Sequence, residues 1–368
     1  LGKLHWGLLV CPLAGAAYSV LLSRTRLGFE LIACGEGERV ARYAALPYGF
    51  LVALVMGLLI GIMLALLLEV LDNTLKTAES VETRLKQPLL SVMPLLDRKH
   101  VERKVSGRMV LDEPNALYSE AIRTARTGVL LSSVDIASRT IVVTSSIPGE
   151  GKTTFSSNLA MAHALTKKTL LVDADMRRPS VAKCFSLDPN AAGLSDLVAG
   201  NAKLSDCLQQ IEGTTLAVMT SGSIPPNPLE LLHSDRFTQT LQALSKHFEI
   251  IILDSPPVEL VSDASVIAAR ASGVIFVTKA QSTPYPVAKK SLQRLRRSGG
   301  HIIGVVLNAL DFNKAEKYYG EYSGYGNAKS TYGGTYGRAP SAASKSNRLT
   351  PVPVLATAPG AAQETTAS

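Results

Sequence analysis

Ser146-Ile-Pro148-Gly149-Glu150-Gly151-Lys152-Thr153-Thr154 stands directly after the aliphatic run Thr140-Ile-Val-Val-Thr144 and directly before the apolar stretch Phe155 to Leu165. A strand, a glycine-bearing loop and a helix opening on Lys-Thr form the order that a phosphate-binding loop requires. Gly149 and Gly151 permit the tight turn, and the loop's N–H groups and the helix N-terminus then face phosphate oxygens. Lys152 reaches the β- and γ-phosphates, and the Thr153 hydroxyl is placed to ligate Mg²⁺. Pro148, Gly149, Glu150, Gly151, Lys152, Thr153 and Thr154 are therefore the expected nucleotide-binding residues. One departure is visible: the leading Gly of the general pattern is Ser146.

Outward from the loop, strand candidates recur at 169–173, 216–220, 249–254, 273–278 and 302–307, with helical segments between them. Alternating strands and helices imply a mostly parallel sheet covered on both faces. Two of these strands end on acids: Thr169-Leu-Leu-Val-Asp173-Ala-Asp175 and Ile250-Ile-Ile-Leu-Asp254. The C-terminal ends of parallel strands open onto the ligand crevice. Carboxylates there hold Mg²⁺ or its waters, or take a proton from an attacking hydroxyl. The plainer alternative is that Asp173 and Asp254 cap the segments that follow them.

Before residue 112 the chain has a different character. Tyr43 to Leu68 carries no charged residue, and the length rule makes 49–71 a transmembrane helix. Gly57 and Gly61 form a GxxxG spacing, which is also common in membrane helices that do not dimerise. Lys76, Arg84, Lys86, Arg98, Lys99, Arg103, Lys104 and Arg108 follow the span, and Arg24, Arg26, Arg39 and Arg42 precede it; the excess lies C-terminal, so the C-terminal side is expected to be cytoplasmic. Residues 72–111 read as a juxtamembrane linker, and membrane lipid as a partner. The net charge of +8 does not mark a nucleic-acid groove, because much of the excess lies beside the apolar segment and in the tail. Cys11, Cys34, Cys184 and Cys207 lack metal-ligand spacing and read as reduced thiols.

The Asp173-Ala-Asp175-Met-Arg177 strand end resembles the second acidic motif of bacterial tyrosine kinases, whose fold relatives are MinD/ParA-like ATPases. Ser221-Gly-Ser-Ile-Pro225-Pro226-Asn227-Pro228-Leu-Glu-Leu-Leu232 is similar to a Pro-Pro-Asn-Pro segment of that family. Gly304-Val-Val-Leu-Asn308 is similar to its strand whose Asn lies near the adenine. Glu120, Arg123 and Arg126 match the Glu-x-x-Arg-x-x-Arg helix through which such kinases form rings; without the family match they read as a solvated ion pair. The resemblance implies ATP and Mg²⁺ as cofactors, Lys152 as the phosphate-binding catalytic residue, and Asp175 and Asp254 with Thr153 as metal-organising groups. Asp173 is the candidate base for a tyrosine hydroxyl. Gln87-Pro88-Leu-Leu-Ser-Val-Met-Pro94 resembles the linker of polysaccharide chain-length regulators fused to these kinases, and 1–48 resembles, more weakly, a remnant of their extracytoplasmic helical region. The chain begins with Leu1 and reads as a piece of a longer protein.

Tyr318, Tyr319, Tyr322, Tyr325, Tyr332 and Tyr336 are six of the eleven tyrosines and sit among Gly, Ser and Lys with almost nothing apolar to bury them. They are the expected phosphoacceptors in a tyrosine segment 313–336, followed by a disordered tail 337–368. The expectation is an α/β P-loop kinase domain at 112–312 on an inner-membrane anchor, with its C-terminal part cytoplasmic. It phosphorylates its own tyrosines, assembles as a ring and serves polysaccharide polymerase and export machinery, opposed by a tyrosine phosphatase. The alternatives are a MinD/ParA-like ATPase switch, or a structural export component without kinase activity.

Overall fold

In the computed structural model, residues 48–96, 106–114, 116–132, 139–312 and 315 are described. The segment 1–47, the six clustered tyrosines and the tail lie outside the described residues. Eight strands form one sheet: β1 (Leu89–Pro94), β2 (Arg139–Ser145), β3 (Thr169–Asp173), β4 (Gln209–Gln210), β5 (Leu216–Met219), β6 (Ile250–Asp254), β7 (Gly273–Lys279) and β8 (Ile302–Leu310). Their order is β1-β8-β7-β2-β6-β3-β5-β4. Every pairing is parallel except β4 with β5.

The aliphatic runs explain why the sheet is central. Side chains alternate between faces along a strand. Val142, Val172, Leu253 and Phe276 pack into one apolar cluster. Their neighbours Ile141, Val143, Leu171, Ile252 and Ile275 pack into the other. Both faces are thus covered by helices, as a parallel sheet requires. The helix Lys152–Ala164 lies on the second face, with Phe155, Leu159 and Met161 fully buried.

The segment read as a linker is largely part of this fold. Thr77 and Ser80 form a capping box that starts the helix Ala78–Leu85. β1 then adds to the sheet beside β8. Leu90 approaches so closely that a Cβ on Gly304 would come within 2.6 Å of its Cγ, which is why β8 carries glycine there. Helix Leu117–Leu131 covers β1, with the Ser91 hydroxyl donating to the Ala121 carbonyl at 2.7 Å. The chain just before the helix Ala78–Leu85 is stitched to the loop after β7: Leu75 N–H donates to Thr283 O at 3.1 Å and Tyr285 N–H to Asn73 O at 2.8 Å.

N-terminal to this unit, Tyr48–Leu71 is one 24-residue helix, about 36 Å long at about 1.5 Å per residue. Leu54, Leu58, Leu59, Met63 and Leu66 on it are exposed. Over the residues whose side chains are described, no helix is long and apolar enough to cross a membrane.

Candidate nucleotide site

Register brings the motifs together. Asp173 pairs with Asp254 across β3 and β6, and Val143 of β2 pairs with Asp254 from the other side. The loop leaving β2 therefore rises beside both acidic strand ends. Gly149 and Gly151 adopt φ of 82° and 87°, in the left-handed region open to glycine. At Gly151 any Cβ would also strike the Asn308 amide, 2.1 Å away.

Lys152 opens its helix with an ammonium 3.1 Å from Asp175 Oδ2 and 3.6 Å from Asp254 Oδ2. The Thr153 hydroxyl donates to Asp254 Oδ2 at 2.7 Å, and Ser156 donates to the other oxygen at 3.1 Å. Asp254 is fully buried. Burial raises its pKa, against the pull of Lys152, Thr153 and Ser156. Burial alone would lower the Lys152 pKa, but Asp254 and Asp175 outweigh it, so the ammonium is held above its ordinary value.

Asp173 has a different setting. Its Oδ2 accepts the N–H groups of Ser180 and Val181 at 2.9 Å each, and its Oδ1 that of Asp175 at 3.2 Å. It holds the start of the short helix Val181–Phe185 in place. Burial and then the neighbouring Asp254 raise its pKa to about 7. Asp175 accepts from Arg178 N–H at 3.0 Å. Arg177 points elsewhere, onto Asp263 with two bonds of 2.7 and 3.2 Å.

The other expected residues are placed as follows. Pro148 and Gly149 are exposed at the loop tip, and Thr154 is half-buried on the first helical turn. The Glu150 side chain is buried and accepts from Ile147 N–H at 2.8 Å. Asn308 donates through Nδ2 to the Glu150 carbonyl at 2.7 Å, so its amide is engaged with the loop backbone. Glu120 and Arg123 form an exposed ion pair on one helix, while Arg126 donates to Thr166 Oγ1 at 3.0 Å. Ser156 and Ser180, which touch Asp254 and Thr153, were not singled out from the sequence. Hydroxyl residues are too common for their types alone to mark them.

No group of three or more His, Cys, Asp or Glu is arranged to hold a metal among the described residues. The oxygens present still suit Mg²⁺. That ion takes one or two carboxylates and fills its remaining positions with waters and substrate phosphates. Thr153 Oγ1 and the carboxylates of Asp254 and Asp175 supply hard oxygens of that kind beside the loop. When bound, Mg²⁺ would neutralise charge on the transferred phosphoryl group.

A family model described as "ParA: NUBPL iron-transfer P-loop NTPase" matches residues 137–331. The putative tyrosine-protein kinase CapB of Staphylococcus aureus is 33% identical over 219 residues, 59% of this chain and 96% of that protein. The tyrosine-protein kinase YwqD of Bacillus subtilis is 34% identical over 211 residues, 57% of this chain and 89% of that one. Among solved structures, the kinase domain of the Escherichia coli tyrosine kinase ETK superposes with a TM-score of 0.58 at 30% identity, covering 62% of this chain and 93% of that domain. The chimerical protein CapA2B2 gives 0.59 at 34%, covering 64% and 100%.

Proposed function

The chain belongs to the bacterial tyrosine-protein kinase family, and from that membership we propose that it transfers the γ-phosphoryl group of ATP to tyrosines of its own C-terminal segment. The observation that carries this is the meeting of Lys152 and Thr153 with Asp175 and Asp254 at the mouth of a phosphate loop.

Such transfer is mainly positioning and charge neutralisation. Lys152, now between two carboxylates, would turn part of its charge onto the phosphates. Thr153, Asp175 and Asp254 would hold Mg²⁺. The tyrosine oxygen bonds to the γ-phosphorus, the bond to the ADP oxygen breaks, and the phenolic proton leaves to a base. We assign that base to Asp173. Burial and then the neighbouring Asp254 raise its pKa, the direction that a base working near neutral pH requires. A carboxylate offers about four acceptor positions, and three backbone N–H groups occupy three of them, leaving one for a phenol. Mass spectrometry of the purified chain after incubation with Mg-ATP tests the reading. Phosphotyrosine at 318–336 is expected, whereas ATP hydrolysis without phosphotyrosine would point to a switch ATPase. Asp254→Asn keeps the side chain's size and removes the charge that Thr153 and Ser156 address. Its expected effect is a loss of transfer of about 100-fold, on the order of 3 kcal/mol, with a raised Mg²⁺ requirement in the residual activity. An unchanged rate and Mg²⁺ titration would reduce Asp254 to a cap.

Around this core we place a membrane anchor at 49–71, a cytoplasmic kinase unit, and a ring assembly joined through Glu120, Arg123 and Arg126. Polysaccharide polymerase and export machinery and a tyrosine phosphatase complete the proposed setting. The Glu120–Arg123 pair is exposed and intrahelical, and such pairs are worth only a few tenths of a kcal/mol. Replacing Glu120, Arg123 and Arg126 together by Ala should therefore leave the fold intact and act on assembly, lowering autophosphorylation about 10-fold at fixed concentration. An unchanged sedimentation profile and a dilution-independent rate would remove this helix from the interface.

A further inference from the structure

Glu150 sits inside the phosphate loop, yet its carboxylate is used elsewhere. It is 2% exposed. One oxygen accepts the Ile147 N–H at 2.8 Å, from within the loop. The other accepts the Thr283 hydroxyl, with Lys279 N–H and Ser146 Oγ farther off at 3.4 Å each. Thr283 is itself fully buried. It sits in the turn that follows β7, and its hydroxyl also accepts Lys279 N–H at 3.1 Å. That turn is anchored in its own right, with Leu75 N–H on Thr283 O at 3.1 Å and Gln281 N–H on Leu75 O at 2.8 Å. The carbonyl of Glu150 is held independently by Asn308 of β8 at 2.7 Å. One loop residue is thus gripped at its side chain from the end of β7 and at its backbone from the end of β8.

A phosphate loop binds through the direction of its backbone N–H groups. Those directions are fixed only as well as the loop itself is fixed, and preorganised donors are what bind without reordering. The loop's glycines supply the turn but nothing that holds its shape. A buried carboxylate is a costly group to maintain, and it persists where its hydrogen bonds are met.

We propose that Glu150 and Thr283 form a positioning clamp that holds the phosphate loop in its nucleotide-binding shape, with Thr283 acting from outside the recognised motifs. The proposal rests on the kinase reading for the reaction that reports it, though not for nucleotide binding itself. Both residues are positioning residues, since neither has to touch the reacting atoms.

The test uses the full chain in detergent. It measures KM and kcat for autophosphorylation, the Kd for Mg-ADP by calorimetry, and the thermal midpoint. A loop that binds ground state and transition state alike affects KM rather than kcat, so Thr283→Val should raise KM for ATP and Kd for ADP each about 10-fold and change kcat less than about 3-fold. Thr283→Ser restores the hydroxyl and should return both constants to within about 2-fold of the parent. Glu150→Gln keeps the shape but replaces one oxygen with an NH₂, which meets either the Ile147 N–H or the donors at the other oxygen, so it should behave like Thr283→Val. If Thr283→Val does not fold, Thr283→Ala removes the same hydroxyl with less crowding and is read in the same way. A lower midpoint with unchanged KM and Kd in the hydroxyl-lacking and Gln variants makes the pair merely structural and overturns the clamp. A parent protein that makes no phosphotyrosine, but whose ADP affinity falls in Thr283→Val, would overturn the kinase reading and leave the clamp standing.

Discussion

Lys152→Met should drop autophosphorylation below about one-hundredth of the parent rate, a loss on the order of 3 kcal/mol in transition-state stabilisation. The ammonium is the charge that meets the phosphates. The variant should also lose stability, which a loop lysine would not suggest. Lys152 is the counter-charge of Asp254 and Asp175, and its side chain is 11% exposed. Removing one partner of a buried ion pair leaves a charge unpaired, at a cost of about 3 kcal/mol or more. That deficit depends on pH. A carboxylate whose folded-state pKa is raised stabilises the fold below its unfolded value, and this contribution is lost as pH rises through the folded value. Asp254 is already raised, and Asp173 stands at about 7. Without the ammonium both move further up. The melting gap between parent and Lys152→Met, measured in EDTA, should therefore be small near pH 5 and widen toward pH 8. The double variant Lys152→Met with Asp254→Asn separates the two losses. It should recover most of the stability and none of the activity. A Lys152→Met sample with full phosphotyrosine signal would remove this loop from the chemistry. A melting gap that does not change with pH would remove the charge argument.

The strands most legible in the sequence were those buried on both faces. A run such as Thr169-Leu-Leu-Val-Asp173 has no polar position to blur it, and β3 spans the expected residues. β1 escaped notice because Leu89-Leu-Ser-Val-Met-Pro94 is short, sits at the sheet edge and is flanked by prolines. Its partner β8 lies more than 200 residues away, by sequence numbering, and a parallel pairing announces itself through no local turn. The site followed the same division. Lys152, Thr153, Asp175 and Asp254 carry type and spacing, and the fold brings them within hydrogen-bond or ion-pair distance. Ser156, Ser180 and Thr283 carry neither, and only three-dimensional proximity singles them out. Glu150 belonged to the motif but not to the expected role, because its spacing says nothing of which way a loop side chain turns.

Replacing Tyr318, Tyr319, Tyr322, Tyr325, Tyr332 and Tyr336 together by Phe should abolish phosphotyrosine on the C-terminal segment while leaving Mg-ADP affinity within about 2-fold of the parent. The substitution removes six phenolic oxygens and no residue of the nucleotide site. The segment starts in a suitable place. β8 runs parallel to β7, and the Asn308 amide near its end already touches the phosphate loop. β8 therefore ends at the end of the sheet where nucleotide would bind. Ala315 is still buried, with its N–H on Asp311 O at 2.9 Å, so at about 3.3 to 3.6 Å per extended residue Tyr318 reaches only about 10 Å beyond it, while Tyr336 reaches about 70 Å, enough for a neighbouring subunit's site. Each phosphotyrosine adds about −1.5 to −2 charge, so six add on the order of −9 to −12. That reverses the local positive charge of Lys314, Lys317 and Lys329. Several such segments in one ring repel one another, and each is also repelled by acidic sites filled with phosphate. Phosphorylation should thus dissociate the assembly, and the Phe variant should stay assembled when Mg-ATP is added. The mass distribution of the solubilised protein before and after Mg-ATP decides it. A parent assembly that stays equally large when fully phosphorylated rejects the switch, and a Phe variant that still carries phosphotyrosine at the parent level moves the acceptor to another part of the chain.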